Sequence, residues 1–436
     1  MVSPLADFKK RLDKKEIKIG VVGLGYVGLP LAMAFAKKGF SVTGIDIDRG
    51  RIEHIRKKES YISDVTTSEL KGALSRKKFC ATSNFAALKD IDVILICVPT
   101  PLKRKYHPNI SYIKQSVKAI AKNIKKGSLV VLESTTYPGT TEEVILPLLE
   151  EKKLKHGRDF YLCFSPERID PGNINYPVEK IPKVVGGITP EVTRLASLVY
   201  GKIIDRVVPV SCARVAEAVK LLENTFRLIN IALIDEMAMM THQMGIDIWE
   251  VIAAAATKPF GFMPFYPGPG VGGHCIPKDP LYLYWKARHH GFRSRFIKLA
   301  SDVITRMPQY IAERVTTALR KNGKTPKRSK VLVIGATYKK DIKDLRKSPA
   351  LDIISILQKK HIAVSYHDPL IPYLKFNGID LKSAMLNRSV LRRFDCVVIA
   401  TDHSNIDYGL ILRNSKLIFD SRNVYKGINN QKVVKL

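Results

Sequence analysis

The strongest constraint on the fold is an alternation of short apolar strands with helices. "IKIGVVG", residues 17–23, is an apolar strand, and it precedes a helical pattern and a second strand, "FSVTGID". Further apolar strands follow at "DVILICV" and "SLVVLES", with helical stretches between them. Short apolar strands that alternate with helices indicate βαβ units and a parallel sheet. We therefore predict an α/β domain over residues 1–210.

The same alternation returns after a long helix. Residues 213–245 contain no proline, and their apolar residues recur at helical spacing on more than one face, which predicts a long buried helix. After the linker-like "KNGKTPKRSK", "KVLVIGATYKK" repeats the strand-then-glycine opening, and "AVSYHD", "CVVIAT" and "KLIFDS" continue the pattern. We expect two Rossmann-like, doubly wound parallel-sheet domains. A helical central domain over residues 211–322 joins the first to the second, which covers residues 323–436.

Composition excludes several classes of protein. A chain of 436 residues is too long for one hydrophobic core, and a hydrophobic content of 45% is typical of a globular protein. No apolar run approaches the roughly 20 residues that span a bilayer. The N-terminal segment lacks the apolar stretch of a signal peptide. We expect a cytoplasmic protein with no membrane partner.

The formal net charge of +32 raises nucleic-acid binding as an alternative. The basic runs, such as "KKRLDKK", are spread along the chain, and no aromatic residues alternate with them. This distribution favours attraction of a small anionic substrate over nucleic-acid binding. A basic nucleic-acid-binding module remains the alternative of another class.

A glycine-rich turn, "GLGYVG", follows the first predicted strand and opens a helix. Glycines in this context allow a tight turn, a close approach of a pyrophosphate and close helix packing, and the helix start offers unpaired N–H groups. Asp46 ends the next strand, where its carboxylate can accept from both ribose hydroxyls and repel a 2′-phosphate, whereas Arg51 could pair with such a phosphate. We weigh the carboxylate more heavily and predict NAD, held by Gly23, Gly25, Tyr26, Val27, Gly28, Asp46 and Arg51.

The six cysteines form no C-x-x-C pair, so we expect neither a metal site nor a disulfide framework. Four lie in or beside short apolar runs and are predicted to be core residues: Cys80, Cys97, Cys163 and Cys396. Cys212 precedes the long helix. Cys275 differs, because four glycines and three prolines surround it in "GPGVGGHCIPKDP", residues 268–280.

Cys275 has a chemical use in an NAD enzyme. A thiolate can add to an aldehyde, and the thiohemiacetal can lose a second hydride to become a hydrolysable thioester. Lys278 brings positive charge near the thiol, and Asp279 can orient the hydrolytic water. Lys220 and Asn224, four residues apart on one helix face, can donate to an oxyanion. The residues leave open an ordinary loop cysteine and an exposed polar stripe.

The chain resembles the UDP-glucose/GDP-mannose dehydrogenase family from about residue 16 to 425. The resemblance rests on eight strings in the family's order: "GLGYVG", "CVPTP", "ESTTYPGTT", "FSPERIDPGN", "AEAVKLLENTFR", "GPGVGGHCIPKDP", "YKKDIKDLRKSP" and "FDSRN". It implies NAD-dependent oxidation of a sugar C6 alcohol to a carboxylate, with two NAD reduced per sugar. It also implies a homodimer or higher homo-oligomer built on the long helix.

The resemblance assigns roles residue by residue. Cys275 matches the nucleophile, Lys220 and Asn224 the anion-stabilising pair, and Asp279 the carboxylate beside it. Glu167 matches the acid/base, with Thr135 in the water network. It implies further cofactor contacts at Thr100, Thr135 and Arg346, and substrate contacts at Glu167, Arg168, Lys220, Asn224, Gly272, Lys339 and Arg422.

The sugar is read from finer similarities. "VGGHCIP" resembles the branch that acts on N-acetylated sugars, and "TTYPGTTEE" and "SPERIDPGN" favour UDP-N-acetylglucosamine as the substrate. Lys278 departs from that branch, which often has an uncharged residue there. UDP-N-acetylmannosamine, its galacto epimer and UDP-glucose stay open. We expect the uronate product to serve surface-polysaccharide synthesis.

Overall fold

The chain folds into two units in a computed structural model that describes residues 4–62, 64–103, 106–170, 176–376 and 378–436. One unit comprises Met1–Glu223 with Leu281–Phe292, and the other comprises Asn224–Pro280 with Arg293–Leu436. Each unit contains one α/β sheet, as predicted. The three-domain boundaries at residues 210 and 322 stay a prediction.

The first unit is built on an eight-stranded sheet. Its strands are β1 (Lys18–Val22), β2 (Ser41–Ile45), β3 (Phe79–Thr82), β4 (Val93–Ile96), β5 (Ser128–Leu132), β6 (Phe160–Phe164), β7 (Lys183–Gly187) and β8 (Val207–Pro209). They pair in the order β3-β2-β1-β4-β5-β6-β7-β8, and the first six positions of this order run parallel. All four strands that the sequence predicts for this domain are present.

Helices cover both faces of this sheet. They are α1 (Pro4–Asp13), α2 (Gly28–Lys37), α3 (Arg49–Arg56), α4 (Thr67–Ser75), α5 (Ser111–Asn123), α6 (Leu146–Glu150) and α7 (Pro190–Tyr200). Along β4, Val93 and Leu95 belong to one hydrophobic core and Ile94 and Ile96 to another. Because neighbouring side chains of a strand point to opposite faces, the sheet is buried on both sides, as in a doubly wound fold.

One edge of the sheet differs from the predicted all-parallel arrangement. β7 runs antiparallel to β6, with Cys163 opposite Gly187, and β8 runs parallel to β7. A parallel return needs a long crossover, usually a helix. The described residues between β6 and β7 form only the 3₁₀ helix Val178–Lys180, so the chain turns back antiparallel.

The prediction that Cys80 is a core residue is wrong. Cys80 is exposed, whereas Cys97, Cys163 and Cys396 are buried as predicted. β3 is the edge strand of the sheet, and its side chains alternate between a covered and an open face. Phe79 takes the covered face, so Cys80 faces outward, with Sγ 3.5 Å from Oγ1 of Thr43.

The second unit contains a five-stranded parallel sheet in the order β10-β9-β13-β14-β15. Its strands are β9 (Lys330–Ile334), β10 (Ala363–His367), β13 (Cys396–Ile399), β14 (Ile418–Asp420) and β15 (Val433–Lys435), and an antiparallel hairpin joins β11 (Tyr373–Phe376) to β12 (Ile379–Lys382). The four strands that the sequence predicts here are present.

The remaining helices include the predicted long one. They are α8 (Ala213–Gln243), α9 (Ile248–Ala255), α10 (Asp279–His289), α11 (Arg295–Lys321), α12 (Pro349–Lys359), α13 (Arg388–Leu391) and α14 (Tyr408–Asn414). α11 and α12 bury apolar side chains with those of β9 in the core of the second unit. In the part of the chain that the structure describes, no helix has the length and apolar character needed to cross a membrane.

Glu217 of α8 binds the backbone of the turn that follows β5. Its Oε2 accepts from the N–H of Gly139 at 2.5 Å, and its Oε1 accepts from the N–H and Oγ1 of Thr141 at 2.9 and 2.7 Å. The side chain is buried, and burial raises the pKa of Glu217 to about 7, although these hydrogen bonds oppose the shift. The folded state therefore favours the protonated carboxyl.

We predict that this carboxyl makes stability depend on pH. A raised folded-state pKa stabilises the fold fully below the unfolded-state value of about 4.3, and this contribution is lost as the pH rises toward 7. Relative to Glu217→Gln, which cannot titrate, the wild-type protein should lose up to about 3 kcal/mol between pH 4.5 and 7.5. Melting temperatures of both proteins across this range measure the loss. Parallel pH profiles would contradict the prediction.

Candidate active site

The glycine turn between β1 and α2 is tight. Gly23 has a φ of +94°, a conformation that L side chains rarely adopt. A Cβ on Gly28 would lie 1.8 Å from the carbonyl oxygen of Gly23, so the helix start can approach the strand only with glycine there. α2 begins without a side-chain cap. These features fit a dinucleotide pyrophosphate, which would bind the backbone N–H groups of this turn.

Asp46 lies beside this turn and is buried. Its Oδ2 accepts from the N–H of Leu24 at 2.7 Å and from Arg51 Nη1 at 3.0 Å, and its Oδ1 accepts from the N–H of Asp48 at 2.9 Å. Arg51 is therefore paired with the Asp46 carboxylate, and this pairing disfavours Arg51 as a ligand for a 2′-phosphate. A cleft lined by Gly23, Asp46, Asp48, Arg51, Phe85 and Tyr112 opens here. The exposed Tyr26 belongs to the same turn.

The ends of β4 and β5 bring two predicted cofactor residues together. Thr100 Oγ1 donates to the carbonyl oxygen of Thr135 at 2.7 Å, and the Tyr282 hydroxyl donates to the carbonyl oxygen of Thr100. Both threonines follow the carboxyl ends of parallel strands, the edge at which open α/β sheets bind ligands. The predicted roles of these threonines are compatible with this position.

Glu167 follows β6 at the same edge. Its Oε1 accepts from the N–H of Ile169 at 2.5 Å, and its Oε2 lies 3.7 Å from Lys183 Nζ. Lys183 in turn pairs with the fully buried carboxylate of Glu133 at 2.5 Å. The sequence analysis missed Glu133 and Lys183, because a lysine before an apolar strand is usually a surface residue.

Arg168, a predicted substrate residue, is bound by protein groups. Its Nη2 donates to Glu223 Oε1 at 2.6 Å, and its Nη1 donates to the carbonyl oxygen of Pro182 at 2.7 Å. A substrate contact would have to form beside these bonds or replace them, so the role of Arg168 stays a prediction. The last residues of the "SPERIDPGN" string, 171–173, lie outside the described residues.

Lys220 and Asn224 lie one turn apart in α8, and both side chains are buried, with exposed fractions of 8% and 4%. This burial overturns the alternative of an exposed polar stripe. Asn224 Nδ2 donates to Asp279 Oδ2 at 2.7 Å, and Asp279 is itself 1% exposed. Three predicted catalytic residues are thus buried polar groups, which are costly to bury without a partner.

Cys275 is exposed, in contrast to the three core cysteines. Its carbonyl oxygen accepts from the N–H groups of Lys278 at 3.0 Å and Asp279 at 2.8 Å, so the cysteine sits in the turn that leads into α10. The start of a helix carries partial positive charge, which favours a thiolate. An accessible thiol one turn before Asp279, which binds Asn224, is suited to nucleophilic catalysis.

Lys278 is buried next to the cysteine. Burial lowers the pKa of Lys278 to about 8, although Asp279 and Cys275 oppose the shift. Its Nζ lies 3.0 Å from His274 Nδ1. Burial, followed by the charge of Lys278, lowers the pKa of His274 to about 3, so this imidazole is neutral near pH 7. A neutral imidazole that faces an ammonium is an acceptor for it.

The cysteine loop, residues 268–280, packs directly on residues 338–349 of the second unit. The N–H of Gly273 donates to the carbonyl oxygen of Arg346 at 2.9 Å. A Cβ on Gly272 would lie 2.4 Å from Cβ of Tyr338 and 2.8 Å from the carbonyl oxygen of Lys347. Two predicted ligand residues, Lys339 and Arg346, belong to this same segment, and Arg346 forms an ion pair with Asp344 at 2.7 Å.

Arg422, a predicted substrate residue, lies near the start of the loop. Its Nε donates to the carbonyl oxygen of Ala400 at 2.8 Å, and a Cβ on Gly268 would lie 2.8 Å from its Nη1. The N–H of Gly268 donates to Asp235 Oδ1 of α8 at 3.0 Å. Burial raises the pKa of Asp235 to about 8, against the influence of Gly268 and Arg422. Asp235 could not be singled out from the sequence, because a carboxylate in a helix usually lies on the solvent side.

Three sequence profiles of one family match the chain. They are described as the NAD binding domain, the central domain and the UDP binding domain of the UDP-glucose/GDP-mannose dehydrogenase family, and they match residues 17–204, 214–305 and 332–427. The predicted cofactor turn lies in the first match, and the cysteine loop lies in the second.

Individual relatives agree with these profiles. A UDP-N-acetyl-D-glucosamine 6-dehydrogenase of Pseudomonas aeruginosa is 40% identical over 357 residues, which cover 81% of this chain and 83% of the relative. A UDP-N-acetyl-D-mannosamine dehydrogenase of Pyrococcus horikoshii is 36% identical over 420 residues, 94% of this chain and 96% of the relative. The solved structure of the UDP-D-ManNAc dehydrogenase from Pyrococcus horikoshii superposes with a TM-score of 0.87 at 34% identity, covering 96% of this chain and 99% of that one.

We predict that Asp46→Asn weakens NAD binding about tenfold or more, because the ribose loses a charged acceptor. Calorimetric titration with NAD measures the dissociation constant. Glu53→Gln is the matched control, since it removes a half-exposed carboxylate of α3 that pairs with Arg56 and does not line the cleft. Equal weakening in both variants would contradict the role of Asp46.

Proposed function

Because the chain belongs to the UDP-glucose/GDP-mannose dehydrogenase family, whose members are NAD-dependent oxidoreductases, we propose that it oxidises UDP-N-acetylglucosamine. The reaction is a four-electron oxidation of the C6 alcohol to the carboxylate, with two NAD and one water consumed per sugar. The product is UDP-N-acetylglucosaminuronate, and we propose that the reaction takes place in the cytoplasm and feeds surface-polysaccharide synthesis.

The observation that carries this proposal is the environment of Cys275. The thiol is exposed in a loop whose backbone is fixed at Gly273, and the turn after it places Asp279 in hydrogen-bond contact with Asn224. A structural cysteine would be buried among apolar groups, as Cys163 is. An exposed thiol with buried polar groups beside it suits covalent catalysis.

Each residue has a defined task in this chemistry. Bound NAD supplies hydride acceptance for the alcohol and again for the sulfur adduct. The Cys275 thiolate bonds to the aldehyde carbon and holds it as a thiohemiacetal, and the thioester formed from this adduct is released by water. Lys220 and Asn224 donate to the oxygen that carries negative charge, and Glu167 moves protons to and from the water and the sugar hydroxyl. Asp279 orients the Asn224 amide.

The choice of sugar rests on similarity. The relative that is 40% identical acts, by its name, on UDP-N-acetyl-D-glucosamine, whereas the 36% identical relative is a UDP-N-acetyl-D-mannosamine dehydrogenase. UDP-N-acetylmannosamine is therefore the second candidate substrate, and the galacto epimer and UDP-glucose follow.

The exposed face of α8 supports the predicted homodimer. Phe226, Leu233 and Met240 are seven residues apart, and each has an exposed fraction of 46% or more in the single chain. Residues at this spacing lie on one helix face, and a second copy of the helix would cover them. The oligomeric state stays a prediction.

The substrate proposal predicts a specific stoichiometry. Incubation with limiting UDP-N-acetylglucosamine and excess NAD should yield two NADH per sugar, because the oxidation continues past the aldehyde. A panel with UDP-N-acetylmannosamine, UDP-N-acetylgalactosamine and UDP-glucose measures kcat/KM for each. A higher kcat/KM for another sugar would reassign the substrate, and one NADH per sugar would favour a simple two-electron dehydrogenase.

Cys275→Ala should abolish acid formation, with kcat lowered by about a thousandfold or more, since no covalent adduct can form. The NAD dissociation constant should stay within about threefold of wild type, because that change is under 1 kcal/mol. Cys80→Ala is the matched control, because Cys80 is also exposed but lies on an edge strand. Wild-type acid output from Cys275→Ala would exclude the thioester route.

A further inference from the structure

We propose that Lys183 is a positioning residue, whose buried ammonium fixes the carboxylate of Glu167. Glu133 and Tyr200 hold the ammonium in place. This inference rests on the proposed function, which gives Glu167 the acid/base role. It adds Lys183, Glu133 and Tyr200 to the residues of the first unit that have a proposed role.

The antiparallel strand brings Lys183 to Glu167. Phe164, the last residue of β6, pairs with Gly186 of β7. Glu167 lies three residues after Phe164 and Lys183 three residues before Gly186, so both come from the same end of this strand pair. Because β7 runs antiparallel to β6, its first residue lies at the edge of the sheet where β4, β5 and β6 end, whereas a parallel strand would present its last residue there. Lys183 Nζ therefore lies 3.7 Å from Glu167 Oε2 and 3.2 Å from the carbonyl oxygen of Pro166.

The ion pair with Glu133 offsets the cost of burying the Lys183 ammonium inside the protein. The Lys183 side chain is 7% exposed, and an ammonium at that depth needs a countercharge. Glu133 supplies it at 2.5 Å, and the Tyr200 hydroxyl donates to the other oxygen of the Glu133 carboxylate. Burial alone would lower the pKa of Lys183, but Glu133 and Glu167 raise it above its usual value, so the group is a cation.

The charges of the cluster show which group acts on the Glu167 carboxylate. Two carboxylates face one ammonium, and without the ammonium one of two neighbouring carboxyls would bind a proton. Cys97, Cys163 and Tyr200 also face the pair, and burial raises the pKa of each well above its usual value, so these groups are neutral near pH 7. Arg168, the next residue after Glu167, is paired with Glu223. Lys183 is thus the cation of this cluster that faces the Glu167 carboxylate.

The test removes the whole ion pair, because Lys183→Met alone leaves Glu133 buried without a countercharge. Glu133→Gln with Lys183→Met keeps a hydrogen-bond acceptor for Tyr200. We expect this double variant to fold and to bind NAD as the wild type does. Its kcat should fall about 10- to 100-fold with KM for the UDP-sugar nearly unchanged, which is part of the roughly 100- to 10,000-fold that general acid–base catalysis contributes. The acid limb of the kcat–pH profile should move to higher pH, because a cation has been removed. Lys183→Arg in the otherwise wild-type protein keeps a cation and should retain most of the wild-type kcat.

Lys125→Met is the matched control. Lys125 pairs with Asp92 at 2.7 Å at the opposite edge of the same sheet, so this variant also removes a cation from a carboxylate. It should leave the kcat–pH profile unchanged. A double variant at Glu133 and Lys183 with the wild-type kcat and pH profile would overturn the positioning role, and so would a profile that moves equally in the control.

A second measurement needs no turnover. In a Glu133→Gln background, melting temperatures of Lys183→Met, Glu167→Gln and their combination form a double-mutant cycle. We expect non-additive effects because the two groups are in contact, and additive effects would overturn the inference. If the wild-type protein oxidises no UDP-sugar, the proposed function fails, but this cycle still decides whether Lys183 and Glu167 are coupled.

Discussion

The parallel register of β4, β5 and β6 is the constraint on which the chemistry of the first unit depends. Backbone pairing sets Ile96 beside Leu132 and Leu132 beside Phe164, so all three strands end at one edge. The strings "CVPTP", "ESTTYPGTT" and "FSPERID" each begin at or next to those ends. Side chains that are some thirty residues apart in the chain are therefore neighbours because of main-chain hydrogen bonds, before any side-chain contact forms.

Much of the architecture could be predicted from the sequence, because burial on both faces of a parallel sheet leaves continuous apolar runs. The long helix could also be predicted from its apolar spacing, and so could the shared helix face of Lys220 and Asn224. The direction of each strand could not be predicted in this way. An apolar run such as "KVVGG" is compatible with parallel and with antiparallel pairing, so the reversal of β7 and the position of Lys183 are known only from the structure.

Individual side chains were harder to predict than elements. Cys80 lies in a strand, as the buried Cys163 and Cys396 do, but only the sheet order shows that its strand is an edge with one open face. Glu133 and Asp235 sit among apolar neighbours, and their burial depends on partners from distant segments, Lys183 and Gly268. A local pattern cannot report such partners, and buried polar groups are stable only where partners exist.

The contact between the cysteine loop and segment 338–349 has a mechanical consequence. Gly272 and Gly273 touch Tyr338, Lys347 and the Arg346 carbonyl with almost no intervening space. A shift of a few tenths of an ångström in either segment is transmitted to the other, because close-packed backbone leaves no space into which it could move. In the proposed function, the affinity for the nucleotide and the position of the Cys275 sulfur are therefore coupled. On this proposal, a variant that reshapes the segment to admit a different sugar nucleotide would also move the thiol.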